Sequence, residues 1–79
     1  MFVYILFSDK SSRYYVGQTA DIDKRLKKHN HGNVPSTKFG VPWILILQIE
    51  VSNRSEALVL EKKVKKRGAK RYIDNHFGV

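Results

Sequence analysis

The chain contains no cysteine, so no disulfide staples it and no thiolate is present to ligate zinc. Acidic residues are scarce: seven Asp and Glu stand against fifteen Lys and Arg, a net charge of +8. Long hydrophobic runs are missing as well. Phe2–Phe7 and Val41–Leu47 fall far short of the ~18 apolar residues that a membrane-spanning helix needs. No charged leader with a cleavage site precedes Phe2, and the sequence is read as a soluble cytoplasmic protein without a membrane partner. Repeats, low-complexity stretches and linkers are absent too.

What remains is a small globular chain. Its 79 residues suffice for a single domain over 1–79. Hydrophobic residues make up 42%, with four Phe, four Tyr and one Trp, which is enough for one core and too much for a disordered chain. The excess of positive charge points to a polyanion, either nucleic acid or an anionic membrane surface. Because the basic residues are not gathered on one amphipathic helix, nucleic acid is the better reading.

Phe2–Phe7, dense in β-branched and aromatic residues, reads as a strand. Ser8–Ser11 has turn composition, and Arg13–Gly17 resumes the strand, which predicts a β-hairpin. If Phe7 and Ser12 close it, Tyr4 lies directly opposite Tyr15. From Asp21, a candidate cap, the pattern becomes helical, with Ile22 and Leu26 one turn apart and Gly32 as a stop. Asn30–Pro42 reads as a loop. Trp43–Val51 is a third strand whose almost unbroken apolar start predicts a place at the centre of the sheet. Asn53-x-x-Glu56 forms a capping box, with Ser52 an alternative cap, for a helix that runs to Arg67 and stops at Gly68. A last helix carries Ala69, Tyr72, Ile73, His76 and Phe77 as a stripe to dock on the core. The order ββαβαα predicts an α+β fold with a three-stranded mixed or antiparallel sheet flanked by helices.

Several residues ask for more than a structural role. Arg25 and His29 border the apolar stripe of the first helix, where an Arg can clamp phosphate and a His can take a proton. Glu61 falls among Ala57, Leu60 and Val64 on the inward stripe of an otherwise basic helix. A carboxylate there needs a partner, and an Arg or a metal ion is adequate. His31, Ser36, Thr37 and Lys38 lie in the long loop within reach of a phosphate. His29, His31 and His76 lack compact metal-ligand spacing, which excludes a zinc site.

Together these residues resemble the GIY-YIG nuclease superfamily, specifically its small stand-alone bacterial members. Phe2-Val3-Tyr4 and Tyr15-Val16-Gly17 are similar to its two signature strands, with Phe2 where the family name has Gly. Asp23-Lys-Arg-Leu-Lys-Lys-His-Asn30 is similar to its Arg helix, and Arg54-Ser-Glu-Ala-Leu-Val-Leu-Glu-Lys62 to its Glu helix. Ser36-Thr-Lys and Pro42-Trp43 resemble its linking loop. The resemblance implies a metal-dependent DNA endonuclease in which Glu61 is the single protein ligand to Mg²⁺ or Mn²⁺. It further implies that Arg25 holds the scissile phosphate while Tyr4, Tyr15 and His29 activate or orient the attacking water. Lys24, Lys28, Thr37, Lys38 and Asn75 are the expected nucleic-acid contacts. No separate targeting domain is recognised, so specificity is expected to be low or supplied by a protein partner. The rival reading is a non-catalytic DNA- or RNA-binding module that keeps the fold, and a third is a basic structural protein. Binding alone needs charge but not this set of five residues.

Overall fold

The computed structural model describes residues 1–77. Strands β1 (Phe2–Ser8) and β2 (Arg13–Thr19) form the hairpin and lead into helix α1 (Ile22–Asn30). A 3₁₀ turn (Pro35–Gly40) interrupts the expected loop, followed by β3 (Ile44–Glu50), α2 (Arg54–Arg67) and α3 (Ala69–His76). The sheet is wholly antiparallel in the order β2-β1-β3. No helix among the described residues is long and apolar enough to cross a membrane.

The helix boundaries follow local chemistry. Asp21 accepts a hydrogen bond from the Lys24 N–H and opens α1. Asn53 caps α2 by accepting from the Glu56 N–H, and Glu56 reaches back to the Ser52 N–H, so both candidate residues take part in one box. Gly68, at φ 95°, ends α2 where a side chain would be strained.

Two expectations about the strands need correction. The hairpin closes at Ser8 and Arg13, not at Phe7 and Ser12, and Tyr4 therefore faces Gly17 while Tyr15 faces Leu6. The Ser8 hydroxyl accepts from the Ser11 N–H and Ser12 takes φ 54°, so the turn holds four residues. A two-residue shift in pairing keeps each side chain on its face, so the two tyrosines become diagonal neighbours. The second correction is that β1, not β3, is central. The apolar run at Ile44–Leu47 has a different cause: the β1–β3 register shifts between Ile5 and Leu6, and Ile46 is left over as a bulge. Leu45 and Leu47 consequently point to opposite faces. Ile44 and Ile46 remain exposed.

The sheet separates two cores. On one face Val3, Ile5, Val16 and Leu47 pack with Ala57 and Val64 of α2 and, more loosely, with Ala69, Tyr72 and Ile73 of α3. His76 and Phe77, expected on that stripe, are exposed instead. The other face joins Tyr4, Leu6 and Ile22 to Trp43.

Trp43 fastens the connection between α1 and β3. Its main-chain N–H donates to Asn30 Oδ1 at 2.6 Å, its carbonyl accepts from Asn30 Nδ2, and its indole N–H donates to the Thr37 carbonyl. Gly40 lies so close to the indole that an added Cβ would stand 2.5 Å from it. Asn30→Ala strips two partners from the Trp43 backbone and is expected to lower stability by about 1–3 kcal/mol in denaturant unfolding. A change near zero would mean that indole packing alone holds the connection.

Candidate active site

Tyr4 projects from the central strand toward α1, and its ring passes over Gly17 of the neighbouring strand. A Cβ at Gly17 would stand 2.6 Å from the Tyr4 hydroxyl oxygen and 3.0 Å from the Tyr15 ring, so only glycine lets the phenol lie there. The Tyr4 and Tyr15 ring centroids are 6.2 Å apart, and both rings meet the His29 imidazole edge-on. Tyr4 is 2% exposed, whereas Tyr15 is only partly buried.

His29 has no exposed surface, a stronger burial than its position at the margin of the apolar stripe suggested. One ring nitrogen, Nε2, lies 2.9 Å from the Tyr4 hydroxyl and the other, Nδ1, lies 2.8 Å from Thr37 Oγ1. The Thr37 hydroxyl donates to the Val34 carbonyl, so its oxygen must accept from Nδ1–H. Nε2 is then a bare acceptor, and the Tyr4 hydroxyl donates to it. On the far side Arg25 Nε donates to the Tyr4 oxygen at 3.4 Å. A directed chain runs Arg25, Tyr4, His29, Thr37, Val34.

The electrostatics agree with that chain. Burial lowers the His29 pKa to about 4, with the charges of Arg25 and Lys28 acting in the same sense, so the imidazole is neutral at pH 7. Burial also raises the Tyr4 pKa above its usual value, against the hydrogen bond from Arg25; Tyr15 and Glu61 add smaller upward pushes. The hydrogen bond to Tyr4 raises the Arg25 pKa still further.

Glu61 approaches from the opposite layer. It stands at the margin of the buried face of α2, and its side chain is 18% exposed. Gln18 Nε2 donates to Oε1 at 3.1 Å, and Lys65 Nζ pairs with Oε2 at 2.7 Å. The partner anticipated for this carboxylate was an Arg or a metal, and within the chain it is Lys65, one turn along. The same Gln18 amide has its carbonyl oxygen buried without a partner among the described residues. Among the described residues no three His, Asp or Glu converge as a metal cage.

The expected contacts divide. Lys24, Lys28 and Lys38 are exposed, the first two beside Arg25 on α1. Thr37 is not: it is fully buried, unable to touch a phosphate, and serves to fix the His29 ring. Asn75, with its amide carbonyl turned to the Arg67 guanidinium, accepts two hydrogen bonds at 2.9 Å and ties α3 to the end of α2. Gln18, Gly17 and Lys65 had no functional role in the sequence reading. Period-two alternation does place Gln18 on the helix-facing side with Val16, where a polar residue is as anomalous as Glu61.

One protein-family model, described as the GIY-YIG catalytic domain, matches residues 1–75. No curated protein and no solved structure matches the chain.

The unfolded chain binds a proton at His29 near pH 6.5, but the folded chain does so only near pH 4. Stability from this group is therefore complete above pH 6.5 and is lost as pH falls toward 4, by up to about 3 kcal/mol. Unfolding free energies measured from pH 7.5 to 4.5 should fall steadily in that window. A flat profile would contradict a buried neutral imidazole. Arg25→Ala should move the His29 midpoint upward in an NMR titration, since a neighbouring cation has been removed.

Proposed function

The chain belongs to the GIY-YIG family, a family of nucleases, and on that premise we propose that it is a divalent-metal-dependent endonuclease that hydrolyses DNA phosphodiester bonds. The observation that carries this reading is the hydrogen-bonded chain from Arg25 through Tyr4 to a neutral His29, set beside the half-buried carboxylate of Glu61.

Arg25 holds the scissile phosphate. Its Nε is committed to Tyr4, which fixes the plane of the guanidinium and leaves its terminal nitrogens for phosphate oxygens. Tyr15, the less buried of the two phenols, orients the attacking water. The proton leaves by way of Tyr4: its oxygen takes a proton as its own passes to His29 Nε2. In the free protein the second transfer is uphill, because the Tyr4 pKa is raised and that of His29 lies near 4. An anionic phosphate on Arg25 cancels one of the charges that hold the imidazole down, so substrate makes His29 a better acceptor.

Glu61 is the metal ligand in this reading. One carboxylate suits Mg²⁺ or Mn²⁺, which keep several waters and take other oxygens from substrate phosphate, and the unpartnered Gln18 carbonyl offers a further oxygen. When bound, the ion supplies charge stabilisation at the phosphate and the leaving oxygen. Lys65, whose side chain is 56% exposed, would release Oε2 to such an ion at little cost, since its ammonium stays hydrated.

Cleavage of labelled single-stranded, duplex and branched DNA with Mg²⁺ or Mn²⁺, and with EDTA, tests the proposal directly. Arg25→Ala should lower kcat by about 10²–10³-fold with a smaller effect on binding, and Arg25→Lys should not restore it. Equal losses on replacing Lys27 would reduce Arg25 to general charge. Glu61→Gln should abolish Mn²⁺ binding in calorimetry together with cleavage, while metal-free DNA binding holds or improves. A variant that unfolds yet cleaves normally in its folded fraction would overturn the assignment of Glu61.

A further inference from the structure

An open groove of about 810 Å³ lies outside the hydrogen-bonded chain, between β2 and the junction of α2 with α3. Its lining includes Tyr14, Tyr15, Lys65, Lys70, Arg71 and Asp74. Two of these link it to the site already described, Tyr15 through its contact with His29 and Lys65 through its pair with Glu61. The remainder leads away from that site along α3. Tyr14 is 38% exposed and braced against Phe7, with ring centroids 4.8 Å apart. Lys70 and Arg71 are exposed, and Asp74 is the one acidic residue of the lining.

These properties favour one kind of occupant. With Lys65 already paired to Glu61, Lys70 and Arg71 still outweigh the single carboxylate of Asp74, which favours a polyanion. The volume is that of a drug-sized ligand, enough for a few nucleotides of one strand. A braced, exposed phenol beside cations is the combination that holds unpaired bases by stacking and their phosphates by charge. Resting on the nuclease reading above, we infer that the groove binds an unpaired segment of the DNA substrate adjoining the scissile phosphate. Bases stack on Tyr14, and Lys70 and Arg71 take the backbone. The preferred substrate is DNA that is single-stranded on one side of the cut.

Binding in EDTA of a short fluorescein-labelled oligothymidylate, compared with a blunt hairpin duplex, provides the test. Tyr14→Leu keeps an apolar contact with Phe7 but removes the stacking face, and should weaken oligothymidylate binding about tenfold while hairpin binding is unchanged. Tyr14→Phe should bind as the wild type does. The exposed pair Lys70→Gln and Arg71→Gln should lower the log–log salt slope for the oligothymidylate by about 1.4, or ~0.7 for each lost phosphate contact. Lys63→Gln, which lies in a separate groove with Val51 and Val59, should change neither. Folding of each variant is checked by circular dichroism, and the charge pair alone decides the question if Tyr14→Leu does not fold. Unaltered oligothymidylate binding in the variants, with cleavage intact, overturns this inference and leaves the nuclease reading standing. Equal losses for hairpin and oligothymidylate also overturn it, because the groove would then be a general charged surface. A wild-type protein that binds neither probe defeats the nuclease reading itself.

Discussion

The hydrogen bond from Tyr4 to His29 exists in this direction only while the imidazole is neutral, and burial maintains that condition. A charged ring would present N–H on both sides, which Thr37 accepts as before but which leaves the Nε2 donor facing a phenol whose own proton would have to turn elsewhere. The neutral ring needs one donor and one acceptor. Thr37 supplies the acceptor because its proton is spent on Val34. From there the order passes outward: the ring fixes the phenol, the phenol fixes Arg25, and the guanidinium is aimed before any substrate arrives. The connection that carries Thr37 is held in turn by Asn30, Gly40 and Trp43. A segment that makes few demands as sequence thus sets the geometry of the reactive groups.

The site draws on both faces of a three-stranded sheet. Tyr4, Tyr15 and His29 belong to the layer of α1, whereas Gln18 and Glu61 belong to that of α2. Such residues meet only around a sheet edge, and β2 is an edge strand. Gly17 makes this workable by allowing the Tyr4 phenol to extend over β2. Across that boundary the Glu61 carboxylate adds a small upward push to the Tyr4 pKa, after burial, Arg25 and Tyr15.

Where one local rule governed, the sequence was legible. Caps at Asp21 and Asn53, the stop at Gly68 and the element order all follow from short-range chemistry. Face assignment survived even where register did not, because a shift of two residues preserves the alternation that brings Tyr4 and Tyr15 together. What could not be read depended on distant partners. The apolar run of β3 suggested a central strand, since a bulge that sends consecutive leucines to opposite faces leaves the same pattern in the sequence. Thr37 passed for a phosphate contact because nothing in the loop shows that Trp43 folds it inward. Within the chain the carboxylate of Glu61 pairs with Lys65 one helical turn along, and not with an Arg.

The bulge at Ile46 also shapes the open backbone edge of β3. An apolar strand with one side of its backbone unpaired is a ready template for another strand, and β3 has that composition. The extra residue breaks the even spacing of donors and acceptors along the strand and increases its twist, so an incoming straight strand cannot match it over its whole length. The irregularity that divides Leu45 and Leu47 between two cores thereby also makes this hydrophobic edge a poor template for a straight strand.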